Sequence, residues 1–224
     1  GCALQSYRLD LRDLDRVMTL HAELHRIAPR SGLFAIETEA FFVHHLGPGG
    51  MMLGVDAPDG SLAAYSVLGL PGADDAENFG HDIGLGPHDR RRVAHLDGTG
   101  IAAAFRGIGL QLRMIAERIA LARVRGRSLL MSTAAPANTR SLGNLLEGGL
   151  EAVALVDKYE SIRFVLTRDL LAPPSPDRSG PAIPLDDHAA HRQAFAEGWC
   201  GRGLAPEGAE PALLYGRREE GVAA

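Results

Sequence analysis

Between Asp10 and Ala28, apolar residues recur three and four apart at Leu14, Val17, Leu20, Leu24 and Ile27, an amphipathic helical stripe that Pro29 stops. A shorter helix is predicted over Glu37 to Leu46, with Phe41 and Phe42 as its buried part and Gly47-Pro48-Gly49-Gly50 as its end. Two apolar runs follow, Met51 to Val55 and Leu62 to Leu70, and Pro58-Asp59-Gly60 between them signals a hairpin. Pro71 to Arg92 is polar, rich in Gly, Asp and His, and long for a connection; such loops are usually functional or flexible. Val93 to Ile101 then reads as a strand and Gly109 to Arg125 as the strongest helix. Its inward stripe is Ile108, Leu112, Ile115, Ile119 and Ala122, with Arg113 and Glu117 paired outside and Gly126 just past its end. Ser128 to Ser132 is a further strand. Asn138 to Glu147 is a short helix with Leu142, Leu145 and Leu146 inward, and Glu151 to Val156 and Ser161 to Arg168 form a hairpin about Asp157-Lys158-Tyr159. After Pro173-Pro174-Ser175-Pro176 the tail predicts a strand, a helix from Asp186 to Glu197 and two more strands. The order is mixed α/β, with antiparallel hairpins around a central strand–helix–strand unit.

Composition narrows the classes without choosing among them. At 46% hydrophobic and 23% charged residues the chain is globular rather than disordered or fibrous. A net charge of −5 argues against a nucleic-acid partner. Lys158 is the single lysine among 23 basic residues, so abundant arginine reflects composition more than phosphate binding. Cys2 and Cys200 are too few and too far apart for a disulfide scaffold. No 18-residue apolar run predicts a membrane span, and the start lacks signal-peptide character. The expectation is a soluble, cytoplasmic chain with no membrane partner, with room for a homodimer.

The chemistry concentrates between Val93 and Gly149. After the strand comes Ala104-Phe105-Arg106-Gly107-Ile108-Gly109-Leu110 and then the long helix. Glycines two apart at a helix start leave backbone N–H groups uncovered, and the helix dipole adds positive potential, so the turn suits a pyrophosphate. Taken with Asn138, Ser141-Leu142 and Gly149-Leu150-Glu151, this segment resembles the acetyl-CoA binding core of the GNAT acetyltransferase superfamily. The resemblance implies an α/β (α+β) fold with a mostly antiparallel sheet, a splayed strand pair and flanking helices. It assigns residues 1–170 to that domain; the proline run marks 171–176 as a linker, and the pattern of 177–224 makes it a C-terminal βαββ-like extension of unknown role.

By resemblance, acetyl-CoA is the co-substrate, with no metal. The strand end at Ile101, Ala102 and Ala103 would bond the pantetheine, and the N–H groups of Arg106, Gly107, Ile108, Gly109 and Leu110 would hold the pyrophosphate. Asn138 and Ser141 would lie beside the pantetheine arm. The family's glycine motif usually opens with Gln or Arg, where this chain has Ala104. Many members carry a tyrosine that protonates the leaving thiolate; Leu145 stands there, so another group takes that role or the thiolate leaves to solvent. The activity implied is direct transfer of the acetyl group to a small-molecule or peptide amine. A non-catalytic acyl-CoA-binding regulatory module is the alternative.

An ammonium must lose its proton before it attacks, and at pH 7 an alkylamine of pKa near 10.4 is only about 0.1% neutral. His95 and Asp97 alternate on one face of the strand and are the candidate catalytic pair, with His95 as base; a buried pair that satisfies itself is the other reading. Asp74, Asp75 and Glu77, with the His81–Asp89 stretch, form either an acidic lid favouring a cationic acceptor or a plain exposed loop. Tyr159 is hairpin packing or a substitute proton donor, Arg90-Arg91-Arg92 a solvated run, and Cys200 a buried thiol. Gly98-Thr99-Gly100-Ile101-Ala102-Ala103 matches a dinucleotide-binding fingerprint, but the expected acidic residue about 20 positions on is missing.

Overall fold

The computed structural model describes residues 4–27, 37–206 and 208–218. In chain order its elements are β1 (Ser6–Leu9), α1 (Leu14–Ile27), α2 (Glu39–Leu46), β2 (Gly50–Asp56), β3 (Leu62–Gly69), α3 (Pro87–Arg90), β4 (Val93–Ile101) and α4 (Leu110–Val124). They continue with β5 (Leu129–Ala134), α5 (Thr139–Glu147), β6 (Glu151–Lys158), β7 (Ser161–Asp169), β8 (Ala182–Pro184), α6 (His188–Ala196), β9 (Trp199–Leu204) and β10 (Ala212–Arg217). The ten strands make one sheet in the order β1-β2-β3-β4-β5-β7-β6-β9-β10-β8. Every pairing is antiparallel except β4 with β5, which α4 connects as a crossover. The end of the predicted first helix, Ala28 with the Pro29 stop, lies outside the described residues.

Alternating residues send two cores to opposite faces. Met51 and Leu68 face Ile115, Ile119, Leu142 and Leu146 of α4 and α5, whereas Met52 and Val67 face Val17, Leu20, Leu24 and Phe42 of α1 and α2. The first core runs on into Ile183, Leu185, Ala194, Leu213 and Tyr215, so the C-terminal elements extend the sheet and share its core. The four-residue edge strand β1 was not predicted, being too short and polar to show an alternation.

Two expectations are corrected. In α4 the buried stripe is Leu110, Met114, Ile115, Arg118, Ile119 and Ala122. Ile108 is 61% exposed because it belongs to the turn before the helix, and Leu112 is only half-buried. The run Arg90–Arg92 is not simply solvated, because two of its members staple the 71–92 segment. Arg90 donates to the carbonyls of Ala73 and Leu85 at 2.6 Å each, and Arg92 pairs with Asp89 and Asp169 at 2.9 and 2.8 Å. Phe79 of that segment is buried among Val93, Met131 and Val165.

Candidate active site

The site begins where the parallel pair comes apart. β4 and β5 pair only at Val93 with Leu129, Ala94 with Leu130 and His95 with Met131, and then they diverge. A bulge in β4 accompanies the divergence: Leu68 opposes Leu96 and Ser66 opposes Thr99, so the one residue Val67 spans both Asp97 and Gly98. The bulge leaves carbonyls without ladder partners, and Arg118 of α4, only 1% exposed, collects them. Its guanidinium donates to Val67 O at 2.9 Å, Asp97 O at 3.0 Å and Thr99 Oγ1 at 3.0 Å. Across the opening gap, Ser132 donates to Leu96 O at 2.7 Å.

Past the bulge, the Ala102 N–H donates to Ala63 O of β3 at 2.9 Å. By strand alternation the amides of Ile101 and Thr99 therefore point away from β3, into the gap. The chain then turns through Gly107 (φ +80°) and Gly109 (φ +76°), left-handed conformations that only glycine takes at no cost. Gly109 caps α4 without a side-chain bond, and no acidic residue stands in the first turn. The N–H groups of Gly107 to Leu112 meet no protein acceptor among the described residues. A row of bare amides at the positive end of a fifteen-residue helix is an anion cradle.

A cavity of about 770 Å³ joins this cradle to the gap and to the sheet's far face. Of the predicted cofactor residues, Ile101, Arg106, Gly107, Gly109, Leu110, Asn138 and Ser141 line it. Ala102, Ala103 and Ile108 do not; the Ala102 amide is spent inside the sheet. Asn138 caps α5, its Oδ1 accepting from the Ser141 N–H at 3.1 Å.

Of the predicted catalytic pair, Asp97 lines the cavity and keeps 13% of its side-chain surface open. Burial, reinforced by the Glu37 carboxylate and opposed by Arg118, raises it to about 7. His95 does not reach the cavity, contrary to its reading as base. The Phe79 ring stacks on it at 3.8 Å, and the Phe79 N–H donates to its Nε2 at 3.1 Å. Nδ1 therefore carries the imidazole proton and faces Asp97 Oδ2 at 3.8 Å. Burial, with the charges of His45 and Lys158, pushes His95 down to about 3, so the ring stays neutral. On the other side of the carboxylate stands His45, with Nε2 at 3.7 Å from Oδ2, also held neutral by burial.

The far end of the cavity is walled by His21, Glu37, Tyr65, Phe79, Tyr159 and Arg163. Tyr159 sits in the two-residue β6–β7 turn with φ +54°, beside Glu160 at +57°, a turn type that favours Asn and Gly. Its ring, 47% exposed, lies 5.4 Å from the Arg163 guanidinium carbon and 5.6 Å from Lys158 Nζ. Burial and the carboxylates of Asp97, Glu37 and Glu77 raise its hydroxyl above the usual tyrosine range. Glu37, Thr99 and Arg118 were missed as site residues. One signal existed: Arg118 stands in register with Ile115 and Ala122, a charge on an otherwise apolar stripe.

No family model and no curated protein matches the chain in sequence. Solved structures match it in shape. The yncA protein of Salmonella typhimurium, solved with its cofactor acetyl-CoA, superposes with a TM-score of 0.57 at 15% identity, over 78% of this chain and 98% of its own. Aminoglycoside acetyltransferase AAC(6')-Ib, in complex with coenzyme A and kanamycin, gives 0.56 at 12% identity over 75% of this chain and 95% of its own. A ribosomal-protein-alanine N-acetyltransferase from Brucella melitensis gives 0.56 at 18% identity over 75% of this chain and 100% of its own. The fold is that of the GNAT N-acetyltransferases. The dinucleotide reading fails on the same geometry, because Gly98 and Gly100 lie inside β4 rather than in a strand-to-helix turn. Among the described residues no helix is long and apolar enough to cross a membrane.

Proposed function

We propose that the chain is a CoA-dependent N-acetyltransferase that moves an acetyl group from acetyl-CoA to an amine held at the Asp97 end of the cavity. The observation that carries this reading is the continuity of one cavity from the bare amides at the head of α4, through the β4–β5 gap, to a carboxylate whose pKa is about 7. The cradle takes the diphosphate, the Arg106–Leu110 turn setting its position. The gap takes the pantetheine as a surrogate strand, with the Thr99 and Ile101 amides as donors to it and to the thioester oxygen.

Asp97 accepts the proton of the incoming ammonium, and a base near pH 7 suits that transfer. The neutral His95 and His45 flank the carboxylate at 3.8 and 3.7 Å, and only His95 turns an N–H toward it, since the Nδ1–H of His45 is given to Phe41 O. The amine nitrogen then attacks the carbonyl carbon, and the C–S bond breaks. Leu145 offers no proton. Tyr159 is a poor donor, since a hydroxyl above pKa 10 gives up its proton less readily than a thiol of pKa about 8.5. The thiolate leaves as an anion, and the second proton of the attacking nitrogen passes to water as the amide forms. Glu37 and Asp97 offer two carboxyls at the acceptor end beside the Arg163 guanidinium, and a cationic amine would find its partner in them. The solved neighbours are named for acceptors as different as an aminoglycoside and a ribosomal protein, so the fold alone does not select one.

The test is thiol release from acetyl-CoA across a panel of amino acids, alkylamines, aminoglycosides and peptides, beside calorimetric binding of acetyl-CoA. Binding with acceptor-dependent thiol release is the expected result. Binding without turnover on any acceptor would favour the regulatory module, and absence of binding removes the reading.

A further inference from the structure

The absence of a side-chain acid at Leu145 leaves the negative charge that develops during transfer with backbone donors only, and the wall of the gap holds a side chain suited to it. Thr99 lines the cavity together with Asp97 and Arg118. Its Oγ1 lies 3.0 Å from Arg118 Nη2. A guanidinium has only donors, so Thr99 must accept in that bond, and its single O–H remains to be donated elsewhere. No protein acceptor takes that O–H among the described residues. Arg118 is fixed by its bonds to Val67 O and Asp97 O and by a third to Met114 O at 3.2 Å, so the polarising charge does not wander. A hydroxyl that accepts from a cation is a stronger donor than a free one.

We propose that the Thr99 hydroxyl, polarised by the buried Arg118, is the side-chain donor that meets the negative charge developing on the thioester during transfer. This rests on the acetyltransferase reading and deepens it. The acceptor nitrogen forms the C–N bond while the C–S bond breaks, and the electron pair leaves on sulfur. The ammonium proton goes to Asp97, the second nitrogen proton passes to water as the amide forms, Thr99 keeps its own proton, and the thiolate takes a proton from water after release. Thr99 is a catalytic residue in this scheme and Arg118 a positioning residue that acts through it.

The experiment compares Thr99→Val, which keeps the shape and removes the hydroxyl, with Thr99→Ser, which restores it. By analogy with loss of one oxyanion donor, Thr99→Val should lower kcat about 100-fold while the Kd for acetyl-CoA stays within about 3-fold. Thr99→Ser should recover most of the rate. Melting temperatures separate folding damage from chemistry, and hydrolysis of acetyl-CoA by water supplies a second rate if an acceptor reacts slowly. A Thr99→Val enzyme with unchanged kcat overturns the proposal. So does a rate loss that serine fails to rescue, or a fall in kcat matched by an equal weakening of acetyl-CoA binding. A wild-type chain that binds acetyl-CoA but neither transfers nor hydrolyses overturns the proposal as well. One that does not bind acetyl-CoA overturns the acetyltransferase reading itself.

Discussion

Replacing Asp97 with Asn tests the base and its energetic cost together. A carboxylate raised from an ordinary 3.8 to about 7 is neutral in the folded chain and ionised in the unfolded chain between those values. Folding stability therefore falls as pH rises through that window and levels off above it. Asn does not titrate, so Asp97→Asn should stabilise the fold, and more so at high pH. From pH 5 to pH 8.5 the gain should grow by up to roughly 3 kcal/mol, and at about 2–4 °C per kcal/mol for a chain of this size that is up to about 10 °C in Tm. The same substitution removes the proton acceptor, so kcat/KM should drop between about 10²- and 10⁴-fold. The acidic limb of the wild-type pH–rate profile, rising through about pH 7, should disappear. Differential scanning fluorimetry at the two pH values and a thiol-release assay read all three effects. A Tm gain equal at both pH values would refute the electrostatic argument, and a variant that keeps both its rate and its acidic limb would refute the base assignment.

Three further outcomes follow from the geometry. Gly109→Ala forces an alanine to φ +76°, at about 1–2 kcal/mol, and sets a methyl beside the bare amides; acetyl-CoA affinity by calorimetry should fall at least about 10-fold, more than the stability change explains. Tyr159→Asn relieves a bulky residue at φ +54° and should raise stability by about 1 kcal/mol in thermal unfolding while raising the acceptor KM, since the ring walls the acceptor end. His95→Ala leaves the buried Phe79 N–H unpartnered and empties a stacked site, so it should cost about 2–4 kcal/mol of stability by urea unfolding while the acidic limb near pH 7 persists.

The elements that frame the site were legible because their patterns are strong. The strand Val93–Ile101 was predicted with the bounds the structure gives, and the helix after Gly109 within one residue at each end. The glycine turn was legible because helix starts with paired glycines have few other uses. The bulge was not, because opposing two residues to Val67 is a property of pairing and leaves no mark in the local sequence. His95 and Asp97 were placed on one face by alternation, but alternation cannot say which of them another segment covers. The covering residue, Phe79, arrives from a polar stretch that showed no periodicity. Tyr159 was placed in its hairpin turn and offered as packing or as a proton donor, but its left-handed backbone was not legible, since the turn is built against the preference of its residues.

The single lysine gives the molecule an unusual relation to the chemistry proposed for it. Lys158 Nζ is held 2.9 Å from Asp82, with 16% of its side chain open, and its neighbour Tyr159 walls the acceptor end. Acetyl transfer at the proposed site would thus find almost no side-chain amine on the protein's own surface to modify by accident. For the same reason an amine-reactive label has a single side-chain amine to find, at Lys158 next to Tyr159, and a label there would report on that end of the cavity rather than on the protein at large.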